Sequence, residues 1–183
     1  MFRKKVLLIY LVVLLISCKN EKDKSNSQVK ESSTSLIEQT NNYFQILINV
    51  RVPKDDTFEI YYYETGSSTF HSKDFVSKKI LGNEYDQDIL FDLPENMYPE
   101  RLRLDLGKNV NQDPIKLNSV TLIWNDKKYE FSKEELKNDL RPSKFVIFDK
   151  ERLIVKTVEV NGRYDPYFYT MNLNNIVDFL LED

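Results

Sequence analysis

The body of this sequence predicts a mainly β fold, an antiparallel β-sandwich of the jelly-roll kind with one or two short helices. Three observations carry the expectation. Apolar and polar residues alternate with a period of two in segment after segment from Tyr43 onward. Aromatic and β-branched residues dominate these segments, and four glycines and six prolines are all that interrupt 183 residues. Strand and helix patterns do not take turns along the chain, which argues against a parallel sheet.

The first strand is read from Tyr43 to Val52, with Phe44, Ile46, Ile48, Val50 and Val52 on one face and Gln45, Asn49 and Arg51 on the other. Pro53-Lys54-Asp55-Asp56 turns the chain into a second strand, Thr57 to Tyr63, with Phe58, Ile60 and Tyr62 on one side. Gly66-Ser67-Ser68 marks a loop, and Phe75 to Leu81 a third strand that ends at Gly82-Asn83. Tyr85 to Leu93 and Arg101 to Leu106 are expected to pair antiparallel. Their aspartates (Asp86, Asp88, Asp92) would then meet Arg101 and Arg103 on the outer face. Ile115 to Trp124 is apolar on both faces, as a central strand buried on two sides would be. Asn125-Asp126 turns into Lys127 to Phe131. Ser132 and Glu135 have capping-box spacing, so a helix is expected from Lys133 to about Leu140, ending before Pro142. Phe145 to Phe148, Arg152 to Val160 and Tyr167 to Met171 complete the strands, with Asn161-Gly162 a tight turn. Asn172 to Leu181 reads as a short closing helix or an edge strand.

The first forty residues have a different character. Arg3, Lys4 and Lys5 precede an apolar run from Val6 to Ile16, and Leu15-Ile16-Ser17-Cys18 closes it. Eleven apolar residues are too few for a spanning helix, which needs about 20. The Leu-Ile-Ser-Cys pattern resembles the lipobox of bacterial lipoproteins. That resemblance implies cleavage before Cys18, a diacylglycerol on its sulfur and an acyl chain on its new amino group, which together suffice for stable anchoring. The organisation expected is therefore a signal peptide at 1–17, a lipidated cysteine with a flexible tether at 18–42, and a sandwich domain at 43–183. The tether is rich in Ser, Asn, Lys and Glu. As a coil it reaches about 25–30 Å. The charged run after Cys18 resembles export signals of some Gram-negative surface lipoproteins but mixes signs, and a solvated spacer is the plainer alternative. Lys19 in place of Asp implies the outer membrane, under the retention rule of many Gram-negative lipoproteins.

Removing residues 1–17 takes away three basic residues and no acidic one, leaving 23 against 29 and a formal charge of −6. That balance argues against nucleic acid or anionic lipid as the main partner. Cys18 is the only cysteine, so the fold has no intrachain disulfide and rests on its core.

A second resemblance concerns the body. Phe58-Glu59-Ile60-Tyr61-Tyr62-Tyr63, Asp88-Ile89-Leu90-Phe91-Asp92-Leu93-Pro94, Leu102-Arg103-Leu104-Asp105 and Tyr164-Asp165-Pro166-Tyr167-Phe168 occur in that order. The series is similar to β-sandwich modules attached to bacterial envelope glycosyltransferases and related cell-surface proteins. Those modules often carry proline after the aspartate of the Arg-x-Asp motif, where this chain has Leu106. The resemblance implies a fold and no particular activity.

Motifs for catalysis are sparse. His71 is the one histidine, and the Gly66-Ser67-Ser68 nearby lacks the Gly-x-Ser-x-Gly elbow of serine hydrolases. One histidine and a lipidated cysteine argue against zinc or copper. Asp55-Asp56, or Glu84 with Asp86 and Asp88, offer oxygens for calcium without the Asp-x-Asp-x-Asp-Gly loop, and a plain acidic surface is the simpler reading. No Gly-rich phosphate loop is present, and no signature selects a glycosidase pair from 29 acidic residues. The positive signal is the surplus of tyrosine, eleven in all. Tyr61 and Tyr63 share one strand face, and Tyr167 and Tyr169 share another. Set beside Arg103 and Asp105, these rings are candidates to stack on sugars or to anchor a protein, the alternative being that they finish the core. The expectation is a non-catalytic module held at the envelope membrane by Cys18, without cofactor or metal, recognising glycan or a partner protein. The alternatives are an assembly accessory or inhibitor, and an envelope hydrolase. Metabolic palmitate labelling is expected in the wild-type chain and lost in Cys18→Ser; equal labelling would remove the anchor.

Overall fold

Inward-facing apolar residues on alternate positions of two sheets build this fold. The computed structural model describes residues 42–182 except 65, 67 and 68. The expected signal peptide, Cys18 and the expected tether up to residue 41 lie outside the described residues. Eleven strands occur in chain order: β1 (Gln45–Arg51), β2 (Asp56–Tyr63), β3 (Phe75–Ile80), β4 (Gln87–Asp92), β5 (Arg101–Asp105), β6 (Ile115–Trp124), β7 (Lys127–Glu130), β8 (Arg141–Pro142), β9 (Val146–Asp149), β10 (Ile154–Thr157) and β11 (Tyr167–Tyr169). Helix α1 (Lys133–Asp139) falls between β7 and β8, and α2 (Asn174–Leu181) follows β11. One sheet has the order β4-β1-β6-β10-β9 with β7 also on β6; the other has β3-β2-β5-β11-β8. Every strand pair is antiparallel.

The expected sandwich is present. Phe44, Ile46, Ile48 and Val50 from one sheet and Phe58, Ile60, Leu102, Leu104 and Phe168 from the other are fully or almost fully buried in one core. Among the described residues the core cluster runs from Phe44 to Leu180, within the compact unit Glu38–Asp183. The capping box forms as expected. The Ser132 hydroxyl accepts from the Glu135 amide, and the Glu135 carboxylate accepts from the Ser132 amide at 2.7 Å. The closing segment is a helix, α2, which inserts Val177 and Leu180 into the core. No helix among the described residues is long and apolar enough to cross a membrane.

Two expectations are corrected. β4 and β5 do not pair: β4 lies against β1 in one sheet, and β5 lies between β2 and β11 in the other. The connection between them carries Pro94 and a buried Pro99 and crosses from sheet to sheet, where a hairpin would need a tight turn. Asp92, Asp88 and Asp86 instead take hydrogen bonds from Gln45 (2.6 Å), Asn49 (2.6 Å) and Arg51 (2.9 Å) on β1. The second correction concerns β6. Its register against β1 shifts at Asn49/Val50, so Asn118 is an extra residue and Val50 faces Leu117. The bulge resets the phase of alternation. Ile115 and Leu117 before it and Val120 and Leu122 after it all enter the same core. Only the C-terminal half of β6 is buried on its second side as well, through Thr121 and Ile123.

Asp56 ties the start of β2 to the loop after β5. Its buried carboxylate accepts from the backbone amides of Thr57 (2.8 Å), Lys108 (2.6 Å) and Asn109 (3.1 Å) and from the Gln112 side chain (2.9 Å). Gly107 makes that approach possible. It sits at φ +109°, and a Cβ there would lie 2.3 Å from an Asp56 oxygen. Gly162 also has positive φ, +71°, but faces open space. Gly107→Ala is expected to cost about 2–4 kcal/mol, strain plus the displaced carboxylate, and Gly162→Ala about 1 kcal/mol. Equal losses in chemical denaturation would contradict the role given to Asp56.

Candidate functional site

The alternation that buries Leu102 and Leu104 turns Arg101, Arg103 and Asp105 outward on β5. On one side, β2 sets Tyr63 opposite Arg101, Tyr61 opposite Arg103 and Glu59 opposite Asp105. On the other, β11 sets Tyr169 opposite Arg103 and Tyr167 opposite Asp105. Three strands distant in sequence thus present one lattice of aromatic and charged groups on the outer face of the five-stranded sheet. All six residues singled out from the sequence (Tyr61, Tyr63, Arg103, Asp105, Tyr167, Tyr169) fall on it, and the two tyrosine pairs expected on separate faces share this one.

Arg103 organises the lattice. Its Nε and Nη2 donate to the two oxygens of Asp105, each at 2.7 Å, and Nη2 also donates to Asp165 at 2.7 Å. The guanidinium lies 4.0 Å from the Tyr167 ring centre and 5.0 Å from that of Tyr61. Its side chain retains 19% exposure and that of Asp105 13%, so the pair is largely desolvated. Rings extend the platform on both sides. Tyr61 stacks on Phe75 at 5.0 Å, Tyr167 touches Tyr169 at 4.7 Å, Tyr169 stacks on Phe70 at 5.4 Å, and Phe70 meets Tyr63 edge-on at 4.7 Å.

Two open cavities adjoin at Arg103. One, of about 380 Å³, is lined by Tyr63, Thr69, Phe70, Arg101, Arg103 and Tyr169. The other, of about 330 Å³, has Glu59, Tyr61, Asp105, Lys108, Tyr164 and Asp165 on its walls. Lys108 pairs with Glu59, which also accepts from the Tyr61 hydroxyl at 3.2 Å. The Tyr164 hydroxyl donates to the Asn109 carbonyl at 2.9 Å, so the Tyr164-Asp165-Pro166-Tyr167-Phe168 motif supplies a loop anchor, a carboxylate, a ring and a core residue in turn. Leu106 is buried and donates its amide to the Pro166 carbonyl.

The charges press on one another. Burial pushes the Asp105 carboxyl up to about 7, aided by Asp165 and Glu59 and opposed by Arg103. Burial, then the Glu59 and Asp105 carboxylates, raise the Tyr61 phenol. The hydrogen bond with Tyr169 is the first cause that takes Tyr167 up to about 12.

The other candidates are not gathered here. His71 is exposed in the loop before β3. Asp56 is spent on the 107–112 loop and Asp86 on Arg51, and no group of three or more His, Cys, Asp or Glu side chains among the described residues is placed to hold a metal. Sequence reasoning missed Glu59, Phe70, Phe75, Arg101, Lys108 and Asp165. The period of two that marked Tyr61 and Arg103 also marks Glu59 and Arg101, whereas Phe70 and Asp165 come from loops. Comparisons with protein-family models, with curated proteins and with solved structures give no match.

Asp105 holds its proton more readily folded than unfolded, moving from 3.8 to about 7. Its contribution to stability is therefore full below the unfolded value and lost as pH rises toward 7. The stability of wild type relative to Asp105→Asn is expected to fall between about pH 4 and pH 7 in denaturant titrations. A difference that stays flat, or grows, across that window would refute the desolvated carboxyl.

Proposed function

We propose that this chain is a lipid-anchored, non-catalytic module of the cell envelope that binds glycan on the outer face of its five-stranded sheet. The observation that carries the reading is the continuous platform of Phe75, Tyr61, Arg103, Tyr167, Tyr169 and Phe70 with hydrogen-bonding groups on both flanks. Flat rings cover the apolar faces of sugars, and charged acceptors and donors at the rim take hydroxyl groups. The anchor rests on the Cys18 pattern, and an outer-membrane location on Lys19.

Charge placement favours binding over hydrolysis. A glycosidase sets its two carboxyls on opposite sides of the scissile bond. Glu59 and Asp105 are neighbours across two paired strands of one open face, so both approach a bound sugar from the same side. Each is also engaged by a cation, Lys108 or Arg103. Among the described residues, the outer face of β1 and β4 sets the Gln45–Asp92 and Asn49–Asp88 bonds on either side of the Leu47–Leu90 pair, without stacked rings.

The soluble unit Glu38–Asp183 is expected to retain envelope polysaccharides on an array. Tyr61→Ala and Tyr167→Ala should each weaken binding about tenfold, or ~1.4 kcal/mol. Lys128→Ala on β7 of the other sheet should leave it unchanged. Absence of glycan binding, or equal effects of all three substitutions, would overturn the reading.

A further inference from the structure

The two cavities that meet at Arg103 differ in charge. On the Asp105 side, the carboxylates of Glu59, Asp105 and Asp165 outnumber the cations Arg103 and Lys108, and the groups pair among themselves. On the other side, Arg101 enters a cavity walled by Tyr63, Phe70 and Tyr169 and makes no ion pair with a described residue. Its Nε is buried and is the one buried side-chain nitrogen or oxygen among the described residues without a hydrogen-bond partner. Native structures satisfy nearly all such groups, so a guanidinium that lines a ligand-sized cavity with no protein acceptor among the described residues points to an outside group that engages its cavity-facing nitrogens. The partner must be an acceptor, and an anion suits it best, because a guanidinium fork matches a carboxylate in two parallel bonds.

Resting on the glycan reading above, we propose that the platform selects acidic oligosaccharides, with a uronate carboxylate on Arg101 and the adjoining neutral sugar over the Asp105 cavity. The rings of Tyr63, Phe70 and Tyr169 surround the place where the uronate ring would lie. The neighbouring carboxylates accept from sugar hydroxyls and repel a second negative charge. An alternating acidic–neutral saccharide satisfies both cavities. An acidic peptide or a uniformly charged polyanion meets repulsion at the second, within a mature chain that is itself formally −6.

The test uses the compact unit Glu38–Asp183, which holds the core cluster of the described residues. The probes are a tetrasaccharide of alternating glucuronate and N-acetylglucosamine, the same molecule with its carboxyls reduced to alcohols, and a tetraglutamate peptide. Calorimetry is expected to show the uronate form binding at least tenfold tighter than the reduced form at low salt, with the ratio shrinking as salt is raised. Arg101→Gln should bring the ratio near one, and Arg101→Lys should restore part of it; melting curves of both confirm the fold. Tyr169→Ala should weaken both saccharides. Equal binding of the two saccharides by wild type, a ratio unchanged in Arg101→Gln, tighter binding of the peptide, or binding of none of the probes would each overturn the acidic preference. Retention of neutral glycans in any of those cases leaves the glycan-binding reading standing, and its failure on the array is a separate result.

Discussion

The burial of Leu102, Leu104 and Leu106 is the constraint from which the outer face follows. Side chains of a strand alternate, so seating these leucines between the sheets leaves Arg101, Arg103 and Asp105 no place but outside. A slip of one residue would drive a guanidinium and a carboxylate into the core and expose the leucines, which gives the register its firmness. The same rule acts on β2, where Phe58, Ile60 and Tyr62 go in and Glu59, Tyr61 and Tyr63 go out, and on β11, where Phe168 goes in between Tyr167 and Tyr169. Antiparallel register then sets the outward residues in rows. The site is thus a by-product of core packing, positioned by interactions that never touch a ligand.

Within the rows, Arg103 converts neighbours into a platform. Three hydrogen bonds to Asp105 and Asp165 fix its guanidinium, and the rings of Tyr167 and Tyr61 lie against it at 4.0 and 5.0 Å. A side chain so restrained has little conformational freedom left to lose when a ligand arrives, which favours affinity. The cost falls on Asp105, whose carboxyl is desolvated between Arg103 and the carboxylates of Glu59 and Asp165. Asp56 supports the arrangement from behind. By holding the amides of Lys108 and Asn109, it places the loop from which Lys108 reaches Glu59.

Local pattern revealed each strand and its inward face but not which strands are neighbours. Asp86, Asp88 and Asp92 looked like natural partners for the arginines of β5, because opposite charges on consecutive strands invite pairing. Charge complementarity is cheap to satisfy elsewhere, however, and Gln45, Asn49 and Arg51 of β1 serve equally well. The apolar residues of β6 were ambiguous for a similar reason. A bulge at Asn118 and burial on two sides produce the same composition, and only the register against β1 separates them. The site followed the same logic. Tyr61, Tyr63, Arg103, Asp105, Tyr167 and Tyr169 were legible as outward residues from their own strands. That they share one face depends on β2, β5 and β11 lying side by side, a long-range fact with no local signature.

The two sheets carry their outward polar groups differently. On the outer side of β1, β4 and β6, Gln45 bonds Asp92, Asn49 bonds Asp88, and Asn118 donates back to Asn49. Each group is small, polar and matched, with no large ring among these pairs. On the outer side of β2, β5 and β11, large rings lie side by side, a desolvated ion pair sits at their centre, and the Arg101 Nε is buried without a partner. Stability alone favours the first arrangement, since a buried donor left unmatched and a carboxyl raised by burial both oppose folding. Residues that oppose folding and are gathered in one place are what the proposed glycan-binding reading accounts for.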